Sequence, residues 1–115
     1  MSENPLALCP ITCDLIVTIV NKNQGRRVVE ISKEAGAKGG TILGGRGTGI
    51  HEKAKLFGIS IDPEKEIVLT LVPDTITDDV FESIIRQAEL HKPGKGLCFV
   101  LEVKKLGGIC HLAES

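Results

Sequence analysis

The chain of 115 residues has no tryptophan, no tyrosine and only three phenylalanines. Its core must therefore be built from valine, isoleucine and leucine, within a hydrophobic content of 42%. The same lack weighs against an RNA-recognition surface, whose central strands present aromatic platforms for stacking bases; Phe99 is the single aromatic on an expected sheet strand. Charge of one sign is also missing. A net charge of -1 and a pI near 6.3 argue against a surface dedicated to nucleic acid. No apolar run is long enough to span a bilayer, and Met1-Ser2-Glu3-Asn4-Pro5 lacks the basic start and apolar stretch of a secretory signal, so the expected location is the cytoplasm.

Fixed chemical motifs are equally scarce. No glycine is followed at the required spacing by Gly-Lys-Ser/Thr, which excludes a Walker loop, and Gly45-Arg46-Gly47-Thr48-Gly49 is followed by Ile50 where a dinucleotide fingerprint wants its third glycine. Cys9, Cys13, Cys98 and Cys110 make no Cys-x-x-Cys pair, so all four are expected reduced, with Cys98 packed inside a strand. His51, His91 and His111 are scattered, and no serine or cysteine has an evident base beside it. The reading is of a protein that is not an enzyme; weak nucleotide hydrolysis would have to use His51 or Glu52.

What is present is glycine, concentrated from Gly36 to Gly58 beside Lys38, Arg46, Lys53 and Lys55. Glycine loses the most conformational freedom on folding, so such a stretch is either a mobile loop or a backbone that must approach a ligand closely. Exposed amides in glycine turns favour anions, and the lysines and arginine match that sign. Gly94-Lys95-Gly96 repeats the combination, although an ordinary helix-to-strand turn looks the same.

The chain reads as one domain, residues 14–115, behind a lead of residues 1–13. Asp14–Val20 is an apolar, β-branched strand. Val28, Ile31 and Ala35 recur at helical spacing from Gln24 to Ala35, and Gly36 is placed to stop that helix. Thr41–Leu43 is a short strand, and Glu66–Val72 the clearest one. Thr75 and Asp78 have capping-box spacing before a helix reaching about Leu90, and Leu97–Val103 is the last main strand. Leu106–Ile109 is a candidate edge strand.

The order β-α-β-β-α-β is that of a ferredoxin-like α+β sandwich, with both helices on one face of the sheet. Ile67, Leu69 and Leu71 on one side of their strand and Val68 and Val72 on the other leave no polar face, so the open side of the sheet is expected to close a homo-oligomer. Thr18, Thr70 and Glu102 are the polar interruptions; the alternative is a monomer whose tail crosses the sheet.

Ala35-Gly36-x-x-Gly39-Gly40-Thr41, Gly45-Arg46-Gly47-Thr48-Gly49, Lys65–Pro73 and Gly94-Lys95-Gly96 before Phe99-Val100 resemble the PII signalling proteins over nearly the whole chain, and the PII-like branch most. The resemblance implies a trimeric ferredoxin-like fold, adenine nucleotide (ATP, ADP or AMP) bound between subunits, and a T-loop that docks on a partner transporter, enzyme or regulator to report energy or nitrogen state. It further implies that Gly40, Thr41 and Leu71 meet the adenine. Arg46, Gly47, Thr48 and Gly49 form the T-loop base beside the phosphates, Lys65 opens the third family strand, and Gly94, Lys95 and Gly96 form the B-loop. The family's metal-binding glutamine falls at His51, its B-loop aspartate and lysine at Lys95 and Leu97, and its two C-loop arginines near Gly108 and Cys110. Nucleotide binding is thus implied, whereas Mg-ATP with 2-oxoglutarate is not, and a tyrosine-free loop rules out tyrosine uridylylation. The alternative is a trimeric divalent-metal protein of the same architecture using Cys110, His111 or the N-terminal cysteines.

Overall fold

The computed structural model of the protein describes residues 7–48, 55–56, 59–60 and 63–108, with the side chains of 55, 56, 59 and 60 left aside. The elements run β1 (Cys13–Asn21), α1 (Gly25–Glu34), β2 (Thr41–Arg46), β3 (Lys55–Leu56), β4 (Ile59–Ser60), β5 (Glu64–Pro73), α2 (Thr77–Gln87) and β6 (Gly96–Val103). The main sheet is antiparallel in the order β2-β5-β1-β6, while β3 and β4 pair only with each other. Without that small hairpin, the order is the expected ferredoxin-like α+β plan.

Register sorts the side chains. β1 pairs with β5 through Ile16↔Thr70 and Thr18↔Val68, and these residues face the helices. Ile16, Val20, Val68 and Val72 meet Val28 and Ile31 of α1 and Val80 and Ile84 of α2 in one core. Thr18 and Thr70 belong to this buried side and do not interrupt the open one. Thr18 shares a hydrogen bond with Cys98 Sγ at 3.3 Å, whereas Thr70 Oγ1 has no hydrogen-bond partner.

The opposite face is apolar in rows that cross the sheet: Leu71, Leu15 and Leu101; then Thr41, Leu69, Val17 and Phe99; then Leu43, Ile67, Ile19 and Leu97. Leu97 and Leu101 keep 52% and 50% of their surface exposed. Only the next row, Gly45, Lys65 and Asn21, is polar.

Both helices end alike. After α1, Ala37 N–H donates to Ser32 O (2.9 Å) and Gly36 N–H to Lys33 O, with Gly36 at φ +118°. After α2, Leu90 N–H donates to Ile85 O (2.9 Å) and Glu89 N–H to Arg86 O. This is the paired-bond stop in which the residue after the cap turns left-handed. Glu89 takes that conformation at φ +58° without being glycine, which closes α2 before Leu90.

Three local expectations need correcting. The capping box at Thr75 and Asp78 does not form: Ile76 is the N-cap without a side-chain bond, and Thr77 Oγ1 donates to Asp14 Oδ2 at 2.7 Å. Thr77, the first residue of α2, is tied in this way to a charged acceptor on β1, with Pro73 O a longer local alternative at 3.4 Å. β2 runs on through Gly44, Gly45 and Arg46, because β5 offers a continuous ladder from Ile67 to Glu64. Gly107 bridges Leu8 instead of joining the main sheet, and Cys9 N–H donates to Leu106 O at 2.7 Å.

The last contact bears on the thiols. Cys9 is disulfide-bonded, so the expectation of four reduced cysteines fails there. Cys13 and Cys98 are free, and burial pushes both thiols up, with Asp14 and Asp74 adding to the effect at Cys13. A disulfide typically contributes about 2–4 kcal/mol. Adding reductant should therefore lower the urea midpoint of the wild type and leave that of Cys9→Ser where it is; equal midpoints in all conditions would contradict the link.

Gly96 is fixed by packing. It sits at φ +134°, and a Cβ there would fall on the Ile19 carbonyl oxygen and crowd Val20. Gly96→Ala should cost at least about 2 kcal/mol in urea unfolding; an unchanged midpoint would refute this packing account.

Candidate functional site

The sheet's polar row marks the end at which its charged and glycine-rich segments gather. β1 ends there at Asn21, β2 at Gly45-Arg46, β5 starts at Glu64-Lys65, and β6 starts at Gly96 opposite Val20. The two glycine and lysine loops therefore leave the sheet at one end.

Three consecutive residues of β5 organise this end, each holding a different segment. Glu64 accepts from Lys22 Nζ at 2.6 Å and from Arg46 at 3.2 Å. Lys65 Nζ donates to Asn21 Oδ1 at 2.6 Å, and Asn21 Nδ2 donates in turn to Gly94 O at 3.0 Å. Glu66 Oε1 accepts the Gly25 N–H at 2.7 Å, capping α1 from a neighbouring strand where Gln24 does not. A Cβ at Gly25 would lie 2.8 Å from that oxygen and 3.1 Å from Ile42 Cγ2, so a larger residue would make the Glu66 carboxylate shift.

Alternation along β2 and β5 divides the charges. Thr41, Gly45, Lys65 and Leu71 belong to the open face, whereas Arg46 and Glu64 lie opposite one another on the helix side. Lys65 is buried, at 9% exposure, and the Arg46–Glu64 pair is exposed.

Two cavities flank this arrangement on the sheet. One of about 530 Å³ is lined by Leu15, Lys38, Gly39, Gly40, Thr41, Leu69, Leu71 and Val103. The other, of about 560 Å³, is lined by Lys22, Gly44, Gly45, Arg46, Glu64, Lys65 and Glu66. Along β5 the step from Leu69 to Lys65 is four residues, about 13 Å at the rise of an extended strand. A third cavity of about 300 Å³ on the helix side takes in Lys95 with Gln24, Arg27 and Gln87.

The candidate residues distribute accordingly. Gly40, Thr41 and Leu71 share the first cavity, and Arg46 and Lys65 the second. Gly94, at φ +78°, is tied to Lys65 through Asn21, while Lys95 lines the third cavity. The Gly47 amide donates to Pro63 O at 3.1 Å, which closes the base of the intervening loop. Thr48 follows it, and Gly49, His51, Glu52, Lys53, Cys110 and His111 lie outside the described residues. Asn21, Glu64 and Glu66 are not among the candidate site residues read from the sequence, where Glu66 figures only as the start of a strand.

A metal centre gains no support: among the described residues no group of three His, Cys, Asp or Glu side chains is placed to hold an ion. Cys9, being in a disulfide, offers no thiolate for pairing with Cys13. Nor, among the described residues, is any helix long and apolar enough to cross a membrane.

The hydrogen bond and charge of Lys22, and then the charge of Arg46, hold the Glu64 carboxyl below its ordinary range. A carboxyl depressed on folding adds stability above its unfolded pKa and loses it as pH falls through the folded one. The clasp on Lys22 and Arg46 should thus persist below the ordinary glutamate value. An NMR titration should place the Glu64 midpoint below that value and move it up in Lys22→Met; a midpoint at the ordinary value in both would contradict the clasp.

The family model for nitrogen regulatory protein P-II matches residues 13–109. No curated protein matches the sequence. Among solved structures, the B. subtilis GlnK complex with ATP is 19% identical, with 81% of this chain and 84% of that chain covered and a TM-score of 0.62. B. subtilis GlnK in a second structure gives 19%, 81%, 86% and 0.60. CPII from Thiomonas intermedia K12, bound to ADP and bicarbonate, gives 20%, 90%, 94% and 0.65. At such identities the structural likeness concerns the fold.

Proposed function

The chain belongs to the nitrogen regulatory protein P-II family, and on that premise we propose that it is a signalling protein whose ligand is an adenine nucleotide. The base lies in the cavity of Gly40, Thr41, Leu69 and Leu71, and the phosphates run toward Lys65 and the base of loop 47–63. That loop presents the nucleotide state to a partner protein.

One observation carries the reading: an apolar slot edged by Thr41 and glycine backbone stands about 13 Å along β5 from a buried lysine. An extended nucleoside diphosphate or triphosphate has this form, a flat apolar base at one end and negative charge at the other. The ligands of two structural neighbours, ATP in B. subtilis GlnK and ADP in T. intermedia CPII, are of that class. The half-exposed leucines of the open face support a homotrimer closed through the sheet, since a patch of this kind on a lone chain favours self-association. Mg²⁺ and 2-oxoglutarate form no part of the reading.

Within the site, Lys65 is the leading phosphate contact. Arg46 lies on the helix side in Glu64's grip, and Lys95 lines a separate cavity, so both contribute less. A charge-assisted hydrogen bond is worth about 1.5–3 kcal/mol, a factor of ten or more in affinity. Calorimetric titration of ATP, ADP and AMP into the purified protein should show binding that Lys65→Met weakens at least about tenfold and Arg46→Ala weakens less. No binding of any of the three would overturn the reading, and a larger loss in Arg46→Ala would reverse the assignment of the phosphate end.

A further inference from the structure

We propose that Asn21 is the positioning residue of the phosphate end, a single carboxamide that sets the Lys65 ammonium and the loop of residues 91–96 as one unit. The inference rests on the nucleotide reading above and goes beyond it, by naming how occupancy of the site reaches a second loop.

Asn21 is the last residue of β1, opposite Lys65 in the register, and its side chain spends both ends. Oδ1 accepts from Lys65 Nζ at 2.6 Å, and Nδ2 donates to Gly94 O at 3.0 Å. The partners stand 44 and 73 residues away in sequence, so no local turn brings them together. The assignment of oxygen and nitrogen follows from the partners: the reverse orientation would set the amide donors against an ammonium and its oxygen against a carbonyl. The neighbouring backbone keeps the side chain in place, since Gln24 N–H donates to Asn21 O at 3.1 Å and Asn23 turns left-handed at φ +74°. Beyond Gly94 the loop is closed by Lys95 N–H to Lys92 O at 3.4 Å, a long bond that leaves the Asn21 contact as a principal tie.

The chemistry requires asparagine. Aspartate would keep the acceptor for Lys65 but set a carboxylate oxygen against the Gly94 carbonyl, and a leucine would serve neither partner. A phosphate that draws on Lys65 alters its bond to Asn21, and the same amide passes that change to the Gly94 carbonyl. The coupling therefore runs through one side chain with one partner atom on each side of it, Lys65 Nζ and Gly94 O.

Hydrogen exchange read by mass spectrometry tests this on the wild type, Asn21→Asp and Lys65→Met, with and without ADP. In the ligand-free protein both variants should speed exchange across residues 91–97 several-fold, Asn21→Asp the more, while exchange in the core helix α1 stays unchanged. ADP should slow exchange in that loop in the wild type, and Asn21→Asp should abolish the slowing. Loop exchange equal to wild type in ligand-free Asn21→Asp, or full ADP protection surviving in it, would overturn the proposal. Faster exchange in α1 as well would also overturn it, by showing a general loss of stability. A wild type that ignores ADP, and ATP and AMP when each takes its place, defeats the nucleotide reading, and the ligand-free comparison then decides the Asn21 link by itself.

Discussion

The register of the central β1–β5 pair is the constraint on which the rest depends. Side chains alternate with a period of two, so a slip of one residue would carry Ile16, Val20, Val68 and Val72 away from the helices and turn Leu15, Val17, Leu69 and Leu71 toward them. As built, the pairing buries one set under α1 and α2 and aligns the other in rows on the open face. It also sets Asn21 against Lys65 at the point where those rows stop. The core, the apolar open face and the polar end are thus three consequences of one alignment.

Charge at the polar end is arranged by connectivity more than by quantity. Glu64, Lys65 and Glu66 point alternately to the two sides of β5 and reach four other segments: the turn after β1, the end of β2, the loop before β6 and the start of α1. Their neighbours in space are far apart in sequence, and every bond that these three side chains make themselves is charge-assisted, while the step from Asn21 to Gly94 joins two neutral groups. Lys65, nearly buried, is the cation positioned toward the open face, where the P-II reading places the phosphates. Arg46 on the exposed side has its charge answered by Glu64.

Much of the fold is legible in local pattern. The β-branched run before Asn21, the helical spacing of Val28 and Ile31, and the stretch ending at Pro73 each state their own structure, and Gly36 marks the stop of α1. Legibility ends where a distant partner decides. Thr75 and Asp78 have the spacing of a capping box, yet Thr77 is drawn to Asp14. Gly44 and Gly45 are poor strand formers, yet β5 pairs with them. Of the candidate site, Gly40, Thr41 and Leu71 gather in one cavity, and Arg46 and Lys65 line a second although strand parity sets them on opposite faces of the sheet, while the loop path takes Lys95 to a third. Asn21 escapes a sequence reading because its role exists only once residues 65 and 94 stand beside it.

The most direct test of the account is photolabelling with 8-azido-ADP, whose reactive group is on the base, followed by peptide mapping. The account predicts label in the peptides carrying residues 38–41 and 69–71, displaced by unlabelled ADP. Displaceable label concentrated instead at Arg27, Gln87 and Lys95 would put the nucleotide in the helix-side cavity and contradict it.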